Sequence, residues 1–250
     1  ADPADGVRAF AISYAGEFAF RDFRADPAAA AEWCARHAGR PLADVVREAA
    51  AEFVRRVTPL TGEPLRREIR SIEELVLEGH DACNAMDLAE LLKRAGLLDT
   101  ATRWLEHEPL TPGERRIVHS WIRSLKPDEA YLRRVYLPAL AGDGDDFYAA
   151  TRALRQPWAV APLIDALRRV RSLGHCQAVS RALREIGDER AIPAMIGAIV
   201  EDDTEATIEG IGPSLADLVD EDHEASHDGA WWLAWWERNR ARYPTLEGPR

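Results

Sequence analysis

The run His223-Glu224-Ala225-Ser226-His227 is where this chain comes nearest to a recognisable chemistry. On a helix, H-E-x-x-H sets two imidazoles on one face, able to hold zinc. The glutamate between them then acts as general base toward the metal-bound water. That chemistry needs a helix, a third ligand and a cleft. Here the run lies between the acidic, turn-like Asp220-Glu221-Asp222 and the start of a tryptophan-rich segment, with Asp222 and Asp228 on its flanks. The candidates for a third ligand are Glu237, ten positions on, and Glu247, in a Pro/Gly-containing tail. Only 23 residues follow His227, which leaves no length for a substrate cleft. The expectation is that His223 and His227 hold no catalytic metal and that the protein carries no cofactor.

Other reactive types are scattered. His80-Asp81 and His227-Asp228 are the dipeptides that metal phosphohydrolases use, but their outlying partners would have to be His37 and Asp128, in unmatched surroundings. His80 follows Gly79, where a histidine commonly satisfies terminal helix carbonyls. Cys34 and His37 share one turn of an Ala-rich helix, an arrangement that is more often packing than nucleophilic catalysis. Cys34, Cys83 and Cys176 are odd in number and far apart, which argues against a disulfide framework and a cysteine zinc site. There is no G-x-S-x-G, no P-loop and no G-x-G-x-x-G.

Charge is distributed unevenly. The chain carries 43 acidic against 32 basic residues, a net charge of −11. From Ala191 to Glu237 there is no lysine or arginine, while twelve acids fall in that stretch and account for the whole imbalance. Such a segment repels phosphate and attracts cations or basic peptides. No apolar stretch reaches the 18 residues a membrane span needs. The opening ADPADG has neither the charged nor the apolar region of a signal peptide, so the expected location is cytoplasmic.

The elements that must position these residues are helical. Residues 1–23 form an N-terminal segment in which Phe10, Ile12 and Tyr14 alternate, as do Phe18 and Phe20, around Gly16; that pattern reads as a small hairpin. Helical signals are then nearly continuous. Pro27 opens one helix, and Leu42, Val45, Val46, Ala49, Phe53 and Val57 mark the buried stripe of the next. TPLTGEPL reads as a loop, and Ser71 with Glu74 as a capping box for a new helix. Further helices end at Gly96 and start at Thr111-Pro112 and at Pro127-Asp128; GDGDD is a break. Residues 24–141 form a helical region, either divergent repeats or a separate domain.

Beyond the break the chain repeats itself. AVAPLIDAL (159–167) aligns with AIPAMIGAI (191–199) at a shift of 32 residues. At the same shift Val179 meets Ile211, Leu183 meets Leu215 and Ile186 meets Leu218. One helix pair cannot bury its apolar stripe, whereas stacked neighbours can. LREIGDERAIPAMIGAIV resembles a HEAT repeat: a helix ending in Ile-Gly-Asp, a tight turn, then a helix opened by Ala-Ile-Pro. The short period is similar to the bacterial type related to phycobilin-lyase repeats. The resemblance covers residues 145–242 and implies an all-α solenoid of helix pairs that presents a surface to partners. DGAWWLAWWERNRAR would close it as a capping helix, with Asp228 as N-cap and Trp231, Trp232, Trp235 and Trp236 on one broad face. Residues 243–250 are a tail.

The function expected is a non-catalytic scaffold for a protein or basic peptide, contacted through Glu201, Asp202, Asp203, Glu205, Asp220, Glu221 and Asp222. Two alternatives stand beside it. One is a metal-dependent enzyme using His223, Glu224 and His227. The other is a nucleic-acid binder, since some proteins of this repeat type are DNA glycosylases; Arg168, Arg169, Arg171, Arg181 and Arg184 would supply its basic patch, against the overall charge.

Overall fold

The structure, a computed structural model, describes residues 26–78, 88–221 and 227–249. The hairpin expected within residues 1–23 lies outside them. Every regular element among the described residues is helical, and no helix is long and apolar enough to cross a membrane. The chain divides into two compact units, residues 1–127 and 128–250.

The first unit contains α1 (Pro27–His37), α2 (Leu42–Val57), α3 (Gly62–Glu78), α4 (Leu88–Arg94), α5 (Leu97–His107) and α6 (Pro112–Ser124). Helix α2 spans the segment its spacing predicts and buries Val46, Ala50, Phe53 and Val57. Helix α3 differs from the expectation. It begins at Gly62 and runs unbroken through Ser71, so Ser71 and Glu74 open no helix. Gly62 enters it with φ +57°, a conformation glycine adopts without a Cβ clash, and its N–H donates to Glu108 Oε2 at 3.0 Å. Leu65 and Ile69, one turn apart, are fully buried, and that apolar stripe carries the helix past the capping signal. At the head of α6 the capping box is complete: Thr111 Oγ1 accepts from Glu114 N–H at 3.3 Å, and Glu114 Oε2 accepts from Thr111 N–H at 2.9 Å. Helix α6 packs on α3 and α5, with Trp104 edge-on to Trp121 at 6.3 Å between ring centroids.

The second unit contains α7 (Glu129–Val135), α8 (Asp145–Ala153), α9 (Val160–Leu167), α10 (Leu173–Ile186), α11 (Ala191–Glu201), α12 (Glu205–Val219) and α13 (Gly229–Asn239). Within it, α8 packs on α10 and α10 on α12, while α9 packs on α11 and α11 on α13. Polar contacts tie residues one repeat period apart. His175 Nε2 meets the Asp143 carbonyl at 3.0 Å, Arg171 pairs with Glu201 at 3.3 Å, and Arg184 pairs with Asp217 at 2.6 Å. Ser180 Oγ donates to the Gly210 carbonyl at 2.8 Å, and Arg155 is ion-paired with Glu185. These partners lie 30 to 33 positions apart, matching the shift of 32 seen in the sequence.

The core of this unit follows the aligned positions. Val160, Leu163 and Leu167 of α9 and Ile192, Met195, Ile196 and Ile199 of α11 are all buried. Gly187 ends α10 in a left-handed conformation, φ +71°, and closes the tight turn into α11. The seam between α10 and α12 is built of small residues. A Cβ placed on Gly210 would stand 2.5 Å from Cys176 Cβ, so only glycine permits this approach. Asp228 caps α13 by accepting from Trp231 N–H at 2.8 Å. Trp232, Trp235 and Trp236 are buried against α11 and the returning tail, where Tyr243 stacks on Trp236 at 5.9 Å. Removing that much ring surface from water contributes on the order of 4–6 kcal/mol per tryptophan before chain entropy is charged against it.

Candidate functional site

The acids expected to form one contact face fall at the two ends of α12, about 22 Å apart along a helix of this length. Glu201, Asp202, Asp203 and Glu205 surround the turn between α11 and α12, while Asp220 and Glu221 follow the far end of α12. Asp222 lies outside the described residues.

Several of these carboxylates have internal duties. Asp202 accepts from Thr207 Oγ1 at 2.7 Å, in the first turn of α12, and faces Arg171 at 3.8 Å. Glu201 Oε1 meets Nη2 of the same guanidinium at 3.3 Å. Asp203 Oδ1 accepts from Gly229 N–H at 2.9 Å, where the helix dipole adds to the attraction. Glu221 Oε1 accepts from the Trp235 indole at 2.8 Å. Asp203 and Glu221 therefore hold α13 at two points along its length. Asp220 takes the left-handed conformation, φ 59°, at the C-cap of α12. Glu205 and Glu209 are exposed, and together with Asp220 they make no ion pair among the described residues. Among the described acids of this segment, these three have no internal partner.

Of the H-E-x-x-H run, His223 and Glu224 lie outside the described residues. His227 stacks on Trp231 with 3.5 Å between centroids and 4° between planes, and so belongs to the entry of the tryptophan helix. No group of three His, Cys, Asp or Glu able to hold a metal ion occurs among the described residues. Cys34 is exposed, and its neighbour His37 lies beside the Trp33 ring at 4.6 Å. Cys176 is buried, and the loss of water pushes its thiol above the ordinary value, helped by Asp202 and opposed by a hydrogen bond with Thr207. It is a packing residue.

The arginines foreseen as a basic patch are mostly committed. Arg168 faces Asp165 at 3.5 Å, Arg171 and Arg184 have the acidic partners given above, and Arg169 donates to the carbonyls of Asp165 and Leu140. Arg181 has no ion pair among the described residues.

Clefts were not foreseen from the sequence, and two of them gather polar side chains. One, of about 520 Å³, opens beside Asp143, Arg169, Ser172 and His175. There Ser172 Oγ is hydrogen-bonded to His175 Nδ1, and His175 Nε2 meets the Asp143 carbonyl. A carbonyl can only accept, so Nε2 carries the proton and Nδ1 accepts from the serine hydroxyl. Ser172 also receives His175 N–H at 3.4 Å as the N-cap of α10. Ser172 thus caps α10 from one side, and the histidine at the third helical position bonds its hydroxyl rather than its backbone N–H. The second cleft, of about 210 Å³, lies between α8 and α10 and is lined in part by Tyr148, Arg152, Arg155, Gln177 and Arg181. Arg152 and Arg181 are 29 positions apart, and only knowledge of the repeat would have paired them.

No protein-family model matches the chain, and neither a curated protein nor a solved structure gives a significant match.

Proposed function

We infer that this chain is a non-catalytic binding scaffold whose second unit is a short array of HEAT-like helix pairs. The observation that carries this reading is the set of contacts between residues about one period apart. Arg155–Glu185, His175–Asp143, Arg171–Glu201, Ser180–Gly210 and Arg184–Asp217 each join equivalent places in successive pairs. In such an array every pair is covered by its neighbours, and the outward helix faces are left to meet partners. Helix α13 closes the end, presenting tryptophans inward and Glu237 and Arg238 outward.

The contact for a basic protein or peptide is the exposed acid pair Glu205 and Glu209, one turn apart at the start of α12. Asp202 and Asp203 are poor positions to probe it, because both are bonded inside the fold. The test is capture of a stoichiometric partner by the tagged protein at low salt, repeated with Glu205→Lys/Glu209→Lys. A partner released by high salt and missed by the double variant supports the reading. Retention through both changes refutes the acidic contact.

A further inference from the structure

The cleft between α8 and α10 concentrates cationic and neutral donors in an otherwise acidic protein. Three of its eight lining residues are arginines, and none is aspartate or glutamate. Arg155 shares its charge with Glu185. Arg152 and Arg181 are exposed and make no ion pair or hydrogen bond among the described residues. The side-chain amide of Gln177 is likewise unengaged there, and the Tyr148 hydroxyl lies over Gly174, close enough that a Cβ on that glycine would come within 2.9 Å of it. The Tyr148 ring is braced by stacking on His175 at 5.0 Å and edge-on to Phe147 at 5.8 Å. Phe147 is itself fully buried. One wall of the cleft is therefore held in place before any ligand arrives.

Two uncompensated guanidinium forks facing one small volume repel each other, and an oxyanion with several acceptor atoms relieves that repulsion. The cleft admits one compact group, and the net charge of −11 opposes a long polyanion far more than a ligand whose charge is localised. We propose that this cleft binds a phosphomonoester, with Arg152 and Arg181 as the charge-bearing contacts and Tyr148 and Gln177 as neutral donors. The site is separate from the acidic contact on α12 and does not depend on it.

The experiment titrates the full chain at low ionic strength with O-phosphoserine, with serine, and with a single-stranded DNA oligonucleotide, followed by calorimetry. O-phosphoserine binds and serine does not. Arg152→Gln and Arg181→Gln each weaken the affinity about tenfold or more, while Arg168→Gln, whose guanidinium faces Asp165, leaves it within about twofold. Circular dichroism confirms that the variants remain folded. Equal affinity in the unaltered protein and in the Arg152→Gln/Arg181→Gln double variant overturns the proposal. So does an oligonucleotide that binds more tightly than O-phosphoserine and displaces it, which would make the cleft a nucleic-acid contact.

Discussion

Replacing Gly210 by alanine pits two opposing effects against each other at one atom. Alanine is the better helix former by about 1 kcal/mol in a helix interior. The added Cβ, however, would lie 2.5 Å from Cys176 Cβ and 3.3 Å from the Leu173 carbonyl oxygen. Carbon atoms rest at about 3.5–4.0 Å, so α10 and α12 must part by about 1 Å. The atom in the way is a Cβ held by backbone, which no rotamer change moves. Overpacking of this kind costs about 1–3 kcal/mol. Separation also stretches the buried Ser180–Gly210 hydrogen bond, worth a further ~1 kcal/mol. The clash therefore wins, with a net loss of about 1–3 kcal/mol. Gly212, two positions along the same helix, is the point of comparison, because beyond its chain neighbours nothing lies within 4 Å of its added Cβ. There helix propensity favours alanine by up to about 1 kcal/mol, but Pro213 follows inside the helix and crowds a Cβ on the residue before it, so the two effects offset in large part. Thermal unfolding followed by circular dichroism reads both. At about 2–4 °C per kcal/mol for a chain of this size, Gly210→Ala lowers the midpoint by about 2–12 °C and Gly212→Ala shifts it much less. A midpoint that holds or rises in Gly210→Ala would refute the close approach of α10 and α12.

Four further outcomes follow from other sites. Asp203→Ala and Glu221→Ala each remove a charged acceptor that holds α13, costing about 1–3 kcal/mol and red-shifting tryptophan emission as the ring cluster loosens; unchanged emission would show that neither acid holds the helix. Thr111→Ala opens the capping box of α6 and lowers the urea midpoint by the equivalent of about 1 kcal/mol. Thiol labelling modifies exposed Cys34 in the native protein, whereas Cys176 reacts only on unfolding. Because burial raises the Cys176 thiol above its ordinary 9.0, the native state binds that proton more tightly than the unfolded chain. Its contribution to stability is present below pH 9.0 and declines as pH rises above it, and Cys176→Ser flattens that decline in an alkaline unfolding series.

Local signals located most helices because they act over one or two turns. The spacing of Val46, Phe53 and Val57 sets α2, and Thr111 with Glu114 starts α6 by hydrogen bonds three residues long. The same kind of signal failed at Ser71, where tertiary burial of Leu65 and Ile69 outweighs a cap worth about 1 kcal/mol. The acidic segment was legible as charge but not as surface. Asp203 and Glu221 answer donors 26 and 14 positions away, and no window of composition separates them from the exposed Glu205 and Glu209. The phosphate-sized cleft escaped notice because its two arginines belong to different repeats, each unremarkable on its own helix.

The glycine seam also has a geometric consequence. Helices α10 and α12 approach to the limit that two backbones with small side chains allow, while α9 and α11, spaced by leucine, isoleucine and methionine, touch much less extensively. Helix α10 stands between that seam and α8: it carries Arg181 and packs on the helix that carries Arg152, so residue volume at a buried seam bears on where Arg181 is set.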